Sequence, residues 1–326
     1  TALYAVGSNS GNIAAFSIDT LTGALAAIDA PVAAGTRPQQ VVVDPAGRFA
    51  YVASDASSQV ISYRIDSATG ALAQTGVATS IGANALAIDP TGTFLYVAGS
   101  EIGMFRIDPA TGVLSSSGTL TGHVSLSDVK VHPGSNFVYF SNQALGTISV
   151  YSFDRTTGVL TNIPANLLDL GGSLPSCIEI DPSGQFAFLT QVRLGFPLIL
   201  AFRIDMVTGA LVANGTLGTG RAEWVSVHPT GRFAYVAQYF DDSISAFEIG
   251  AGGTLTLAGV SAAGDGPASI AVDVTGQFAY AANYNDDSIS LYIIDGTTGA
   301  LTTSGPALAL PVGTTPGSVL AIGPRP

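Results

Sequence analysis

The 326-residue sequence predicts an all-β fold, because strands of about five residues alternate with turn residues along its whole length. No stretch keeps a period of 3.6, which disfavours helices. A turn that usually reads Thr-Gly-Ala/Val-Leu recurs seven times, at intervals between 42 residues (Gly70 to Gly112) and 51 residues (Gly158 to Gly209). A four-strand unit repeating at roughly 40 to 50 residues is typical of a propeller blade. The sequence therefore predicts a β-propeller of seven blades, each made of four antiparallel strands. The turn glycines are Gly23, Gly70, Gly112, Gly158, Gly209, Gly253 and Gly299.

One copy of the unit, residues 222–255, defines the order of elements within a blade. Two strands come first, and the second carries aromatic residues two apart, on one face. A polar loop leads to a third strand, and a glycine turn leads to the fourth. The predicted strands are 224–227, 233–237, 244–249 and one that begins at Leu255; the turns and loop between them are 228–231, 238–243 and 250–253.

The two ends of the chain predict how the ring closes. Residues 3–6 already match a second strand, and residues 316–322 match first strands such as 38–43. We therefore expect the terminal strands to share one blade, which leaves no free sheet edge at the junction. No linker or low-complexity run interrupts the repeat, so residues 1–326 are predicted to form a single domain.

Composition excludes several classes of function. The net charge is −12, and Lys130 is the only lysine, which argues against nucleic-acid binding. No apolar run approaches the ~20 residues of a membrane span. Cys177 is the only cysteine, so no intrachain disulfide can form. An acidic, lysine-poor surface favours export, to the periplasm or the extracellular space.

The loops before the first strands and between the second and third strands are expected to meet at one mouth of the central channel. Binding and catalytic residues usually lie on such loops. The candidate catalytic residues are Glu223, Arg221 and His123; the candidate substrate-binding residues are Arg193, Tyr239, Gln191, Tyr284, Arg37 and Trp224. Polar residues of the same loops include Gln39, Asp55, Asn84, Gln143 and Ser176.

Arg221 and Glu223 are two residues apart in one strand and so face the same side. They are either catalytic or an ion pair that holds a loop. His123 has no equivalent in the other units and is a candidate general base. His132 and His228 stand where other units have Asp, at the entry to the Pro-x-Gly turn, and are predicted to cap that turn by bonding to backbone N–H groups.

Two near-duplicate runs, residues 238–243 and 283–288, are rich in carboxylates and could supply oxygen ligands for Ca²⁺. Their spacing matches no EF-hand loop, and turn chemistry is the favoured interpretation. The sequence contains no His/Cys metal motif, no phosphate-binding loop and no Gly-x-Ser-x-Gly elbow. No cofactor is implied, and a structural or channel-bound Ca²⁺ is the alternative.

The segments Asp/His-Pro-x-Gly-x-Phe-x-Tyr-Val-Ala at 44–53, 89–98 and 228–237, with the Thr-Gly-Ala-Leu turns, carry a resemblance. The chain resembles the lactonase family of seven-bladed propellers, which includes 6-phosphogluconolactonase and fungal muconate-lactonising enzymes. It is also similar to surface-protein propellers with Tyr-Val-Thr-Asn repeats. The resemblance covers essentially the whole chain.

The resemblance implies lactone ring opening at the channel mouth by a His-x-His element, a glutamate and arginines. By register, the His-x-His positions here are Ser125 and Ser127. The glutamate after a second strand corresponds to Gln191, and the arginine of an Asn-Arg-Gly loop to Tyr239. Glu223 is retained, so most of the family's catalytic residues are substituted.

Two functions follow. The first is a lactonase-like hydrolase, with Glu223 or His123 as the base for water attack and arginine stabilising the oxyanion. The second is a non-catalytic exported propeller that binds a small ligand or a protein partner. Unusual polar residues concentrate between His123 and Trp224, in blades four to six, and this asymmetry favours a small-molecule site.

Overall fold

The computed structural model describes residues 1–80, 82–123, 125–192, 198–218 and 222–323, and these form seven antiparallel sheets arranged as a ring of blades. Blade 1 begins with β1 (Ala2–Gly7), β2 (Asn12–Ile18), β3 (Leu25–Ala27) and β4 (Val32–Ala33). Blade 2 has β5 (Pro38–Val43), β6 (Phe49–Ser54), β7 (Gln59–Ile65) and β8 (Leu72–Thr79). Blade 3 has β9 (Ala85–Ile88), β10 (Phe94–Ala98), β11 (Ile102–Ile107) and β12 (Leu114–Leu120). Blade 4 has β13 (Leu126–Val131), β14 (Phe137–Asn142), β15 (Thr147–Phe153), β16 (Leu160–Asn162) and β17 (Leu168–Asp169), with a 3₁₀ turn at Pro164–Asn166.

The remaining blades repeat the pattern. Blade 5 has β18 (Pro175–Ile180), β19 (Phe186–Gln191), β20 (Leu198–Ile204) and β21 (Leu211–Gly218). Blade 6 has β22 (Trp224–Val227), β23 (Phe233–Gln238), β24 (Ser243–Ile249) and β25 (Leu255–Ala262). Blade 7 has β26 (Pro267–Val272), β27 (Phe278–Asn283), β28 (Ser288–Ile294), β29 (Leu301–Thr303) and β30 (Leu308–Ala309), and β31 (Pro316–Ile322) completes blade 1. The predicted seven-bladed architecture is confirmed; in blades 1, 4 and 7 the fourth strand is split into two short pieces.

The ring closes through the chain termini, as predicted. Strand β31 pairs antiparallel with β1, with Ala5 opposite Val319. The first strand of each blade packs against the first strands of its neighbours and lines the channel. The second strands are almost entirely buried, and the fourth strands form the exposed outer wall.

The second-strand tyrosines connect each blade to the next. The hydroxyl of Tyr51 donates to the carbonyl oxygen of Gly112 at 3.0 Å, and Tyr139 donates to Gly209 at 2.9 Å. The turn glycine has a positive φ, 73° at Gly112, and a Cβ added there would lie 2.3 Å from the Phe49 ring of the preceding blade. Two features of the repeat, the buried tyrosine and the turn glycine, are therefore parts of one inter-blade contact. The same bond joins Tyr4 to Gly70, Tyr96 to Gly158 and Tyr280 to Gly23.

The two turn-entry histidines are structural, as predicted. Nδ1 of His132 accepts hydrogen bonds from the backbone N–H groups of Gly134 and Ser135, both at 3.0 Å. Its Nε2 therefore carries the proton and donates to the Gly184 carbonyl oxygen at 2.8 Å. His228 caps its own turn in the same way, through the N–H of Thr230.

Candidate active site

A β-bulge near the start of the first strands orients the mouth residues. The register of β5 against β6 shifts between Pro38 and Gln40, so Gln39 is the extra residue. The same shift occurs at Ser127, and at Ala268. A bulge re-aims the side chain of the extra residue, here away from the blade interior and towards the channel mouth. These extra residues and the equivalent residues of the other blades form a ring at the mouth. The ring is made of Gln39, Asn84, Ser127, Ser176, Glu223, Ala268 and Gly317.

Two adjoining cavities occupy this mouth, and they share Gln39, Ser176, Trp224 and Gly317. We call the first the polar half; its volume is about 340 Å³, and it is also lined by Asp55, Asn84, Ser125, Ser127 and Gln143. We call the second the aromatic half; its volume is about 430 Å³, and it is also lined by Ser8, Glu223, Tyr239, Phe240 and Tyr284. Trp224, the largest of the four shared residues, is therefore a wall common to both halves.

Contacts among the aromatic side chains define the shape of the aromatic half. The Tyr239 ring lies 4.9 Å from the Phe240 ring and 6.3 Å from the Tyr284 ring, centroid to centroid. The Tyr239 hydroxyl donates to Oδ1 of Asn285 at 3.0 Å, which fixes the ring in the mouth. The backbone of Glu223 is held on both sides, because its N–H donates to Ala237 and its carbonyl oxygen accepts from the Thr190 hydroxyl. Glu223 itself is half-buried.

An ion pair borders the polar half. The Arg37 guanidinium contacts the Asp55 carboxylate, and Asp55 lines the cavity. Arg37 has φ of 53°, in the left-handed region that non-glycine residues rarely adopt. Ser125 and Thr315, at the same place before their own first strands, have φ of 52° and 45°. The loop conformation is thus shared between blades, and Arg37 reaches the mouth only through Asp55.

The structure brings four of the predicted site residues together: Glu223, Trp224, Tyr239 and Tyr284. His123 lines neither half; its Nε2 lies 3.2 Å from the Tyr151 hydroxyl. Burial lowers the pKa of His123, and the Glu101 carboxylate opposes that effect.

Gln191 is also absent from the lining of both halves. It is 2% exposed at the end of β19, and its Oε1 has no hydrogen-bond partner within the part of the chain that the structure describes. Arg193 and Arg221 lie outside the described residues.

An ion pair beneath the mouth was missed by sequence reasoning. Lys130 Nζ lies 2.9 Å from Glu179 Oε2 and 5.8 Å from the centroid of the Trp224 ring. Burial lowers the pKa of the Lys130 ammonium, but the Glu179 and Asp128 carboxylates raise it more, so its pKa lies above the ordinary value. One signal was available, because the only lysine and Glu179 occupy equivalent positions on neighbouring first strands, opposite Tyr139 and Phe188.

Carboxylates of the two duplicated runs bond to backbone N–H groups of the loop that leads into the next blade. Asp242 accepts from the N–H of Gly266 at 2.9 Å, and Asp287 accepts from Gly313 and Thr315 at 2.7 and 2.6 Å. Within the described ranges, no group of three or more His, Cys, Asp or Glu residues could hold a metal ion.

The fold and its mouth define a closed seven-bladed propeller with one candidate site at the end of the channel where the first strands begin. The family model described as "Lactonase, 7-bladed beta-propeller" matches residues 1–121, 115–226 and 206–316. The chain therefore belongs to the lactonase family of seven-bladed β-propellers, which confirms the resemblance seen in its repeats.

Individual relatives are distant in sequence. A 6-phosphogluconolactonase of Pectobacterium carotovorum is 27% identical over 276 residues, covering 81% of this chain and 82% of the relative. The periplasmic gluconolactonase of Pseudomonas aeruginosa has a TM-score of 0.82 at 19% identity, covering 98% of both chains. A protein from Lactobacillus plantarum has a TM-score of 0.81 at 22% identity, also covering 98% of both. The two solved structures share the fold. Across the described residues, no helix is both long enough and apolar enough to cross a membrane.

Proposed function

We propose that this protein is a lactonase-like hydrolase that opens a small lactone in the aromatic half of the mouth. The observation that carries the proposal is the position of Glu223, which shares one cavity of about 430 Å³ with Trp224, Tyr239 and Tyr284. Family membership supports a lactone as the substrate, as does the 6-phosphogluconolactonase name of the Pectobacterium relative.

In the proposed mechanism, the Glu223 carboxylate takes a proton from a water molecule as that water attacks the acyl carbon of the lactone. The bond between the acyl carbon and the ring oxygen then breaks, and the ring oxygen leaves as a hydroxyl after taking up the proton. The aromatic side chains hold the lactone ring by stacking on its C–H face. Arg221 and Arg193 remain the candidates for stabilising the oxyanion.

Glu223 is preferred to His123 as the base on grounds of position. His123 is paired with Tyr151 and lines neither half of the mouth. A general base must lie within hydrogen-bond reach of the water that it activates. This places the acid–base chemistry of the proposal on Glu223.

The charge of the mouth favours an unphosphorylated lactone. Among the described residues that line the two halves there is no lysine or arginine, and Glu223 adds a carboxylate, while that of Asp55 is paired with Arg37. The chain as a whole carries a net charge of −12. A phosphorylated substrate would meet repulsion at such a mouth, so we expect the neutral lactone to be preferred.

The test is hydrolysis of a panel of phosphorylated and unphosphorylated lactones, monitored by pH-stat titration. We expect turnover above background, a lower KM for the neutral lactones, and loss of about 100-fold or more in kcat/KM for Glu223→Gln. The matched control is Glu248→Gln, which removes an exposed carboxylate from β24 of the same blade and should leave turnover unchanged. Equal activity of wild type and Glu223→Gln would place the chemistry elsewhere.

A second candidate is a non-catalytic, exported binding propeller. It is favoured by Ser127, which stands at a His-x-His position of the family but donates to the Pro175 carbonyl oxygen at 2.7 Å, a contact that joins blades. If no lactone is turned over while sugars or lactones still change the fluorescence of Trp224, this candidate replaces the first. Export would be checked by fractionating cells of the native host, and recovery from the cytoplasm alone would contradict it.

A further inference from the structure

An unusual group of residues lies directly beneath the mouth, on successive first strands. Lys130, the only lysine, is on β13; Glu179 is on β18; and Trp224, the only tryptophan, is on β22. The ammonium of Lys130 is 2.9 Å from a Glu179 carboxylate oxygen and faces the Trp224 ring at 5.8 Å. The three side chains thus form a continuous contact across the channel wall.

The fold does not require charges at the ion-pair positions. In every blade this position lies opposite the second-strand aromatic residue, and the other five blades place uncharged side chains there. Those side chains are Val42, Ala87, Ser226, Ala271 and Leu320. Because the Lys130 and Glu179 side chains are 22% and 26% exposed, solvent partly screens their attraction, and the pair contributes little to stability.

Trp224 also departs from the role of its position. In other blades the equivalent side chain bonds to the backbone of the next first strand: Gln40 accepts from the N–H of Leu86 at 2.6 Å, and Asp128 from Ile178 at 3.0 Å. Ser269 does the same with Val319 at 3.1 Å. An indole has no acceptor for that bond. Trp224 instead lines both halves of the mouth and contacts the Lys130 ammonium.

We propose that the Lys130–Glu179 ion pair is a positioning element that holds the Trp224 ring as the common wall of the polar and aromatic halves. Glu179 fixes the ammonium, and the ammonium attracts the face of the ring. A ring held in place before the ligand arrives spares the ligand the cost of ordering it. Only the kinetic consequence rests on the proposed lactonase function; the placement of the ring is tested without any lactone.

The test uses the fact that all tryptophan signals come from Trp224. Near-ultraviolet circular dichroism and acrylamide quenching are compared for wild type, Lys130→Met, Lys130→Met/Glu179→Gln and Lys130→Arg. The double variant leaves no uncompensated Glu179 carboxylate, and Lys130→Arg keeps the cation. We expect both methionine variants to lose most of the tryptophan dichroism and to be quenched more strongly, and Lys130→Arg to restore both signals.

The kinetic arm measures KM and kcat on a lactone that the wild type hydrolyses. We expect KM to rise about threefold to tenfold in the methionine variants with kcat nearly unchanged, and to recover in Lys130→Arg. Unchanged dichroism and quenching in the folded double variant would overturn the proposal, as would failure of a folded Lys130→Arg to restore them. If the methionine variants do not fold, the isosteric variant Glu179→Gln takes their place in the comparison of tryptophan dichroism and acrylamide quenching. Absence of turnover in the wild type would refute the lactonase function and leave the spectroscopic arm valid.

Discussion

The hydroxyl of Tyr280 in blade 7 donates a hydrogen bond of 2.8 Å to the carbonyl oxygen of Gly23 in blade 1, across 257 positions of the chain. It is the same bond that Tyr51 and Tyr139 make to the following blades, so the last blade is joined to the first as any blade is to its neighbour. The junction that contains both termini is therefore held by this bond, by the contact of Ser269 with Val319 and by the pairing of β31 with β1.

Tyr280→Phe is expected to lower the free energy of unfolding by about 1 to 2 kcal/mol, because it leaves the buried Gly23 carbonyl oxygen without its donor. The matched control is Tyr235→Phe. The Tyr235 hydroxyl is buried and has no hydrogen-bond partner within the described part of the chain, so its removal should be neutral or stabilising. Urea denaturation of the two variants measures the difference, and equal losses would contradict the account.

Gly112→Ala is expected to destabilise the protein by about 3 kcal/mol or more. The residue has φ of 73°, and the new methyl group would overlap the Phe49 ring. Gly305→Ala separates these causes, since Gly305 has φ of 74° but nothing within 4 Å of the added atom. Gly305→Ala should lower the free energy of unfolding by only about 1 kcal/mol. Similar midpoints of denaturation for the two variants would show that the contact with Phe49 does not matter.

The thiol of Cys177 should not react with a thiol reagent such as DTNB in the native protein. The residue is fully buried, and burial raises the pKa of its thiol, which disfavours the reactive thiolate. Its labelling rate should follow global unfolding. The control is Ser176→Cys combined with Cys177→Ala, which moves the thiol one residue along β18 to the mouth. That variant should react in the folded state, and fast labelling of the wild type would contradict the described packing.

Because His132 is buried, we expect the protein to lose stability in mild acid. Burial lowers the pKa of His132 below its ordinary value of 6.5, so the unfolded chain binds more protons than the folded one. The contribution of neutral His132 to the free energy of unfolding is therefore complete above pH 6.5. It is lost as the pH falls from 6.5 through the folded-state pKa of His132. His132→Asp introduces the residue type that other blades have at this position, as at Asp44 and Asp89. The free energy of unfolding of this variant should depend less on pH in this range. His123 adds a dependence of the same sign and is present in both proteins.

The fold was predictable from the sequence because each blade repeats the same chemistry: an Asp or His turn cap, a buried tyrosine and a turn glycine, each with a local physical reason. The site was predictable only in part. Strand register predicts that Glu223 and Trp224 lie at the mouth, and both line it. His123 is predicted to be a catalytic residue because it lies in a loop before a first strand, but its ring turns towards Tyr151 on the third strand of its own blade.

The ion pair was missed for a related physical reason. Lys130 and Glu179 are 49 positions apart, and nothing local in either strand predicts the other. Their contact depends on the packing of neighbouring first strands around the channel, which becomes evident only when the blades are aligned by register.

The measurement that tests the central claim most directly is kcat/KM of wild type and Glu223→Gln on an unphosphorylated lactone at one pH, with Glu248→Gln alongside. The account predicts a loss of about 100-fold or more for Glu223→Gln at an unchanged melting temperature, and wild-type values for Glu248→Gln. Values within a factor of two for all three proteins would contradict the assignment of this mouth as the active site.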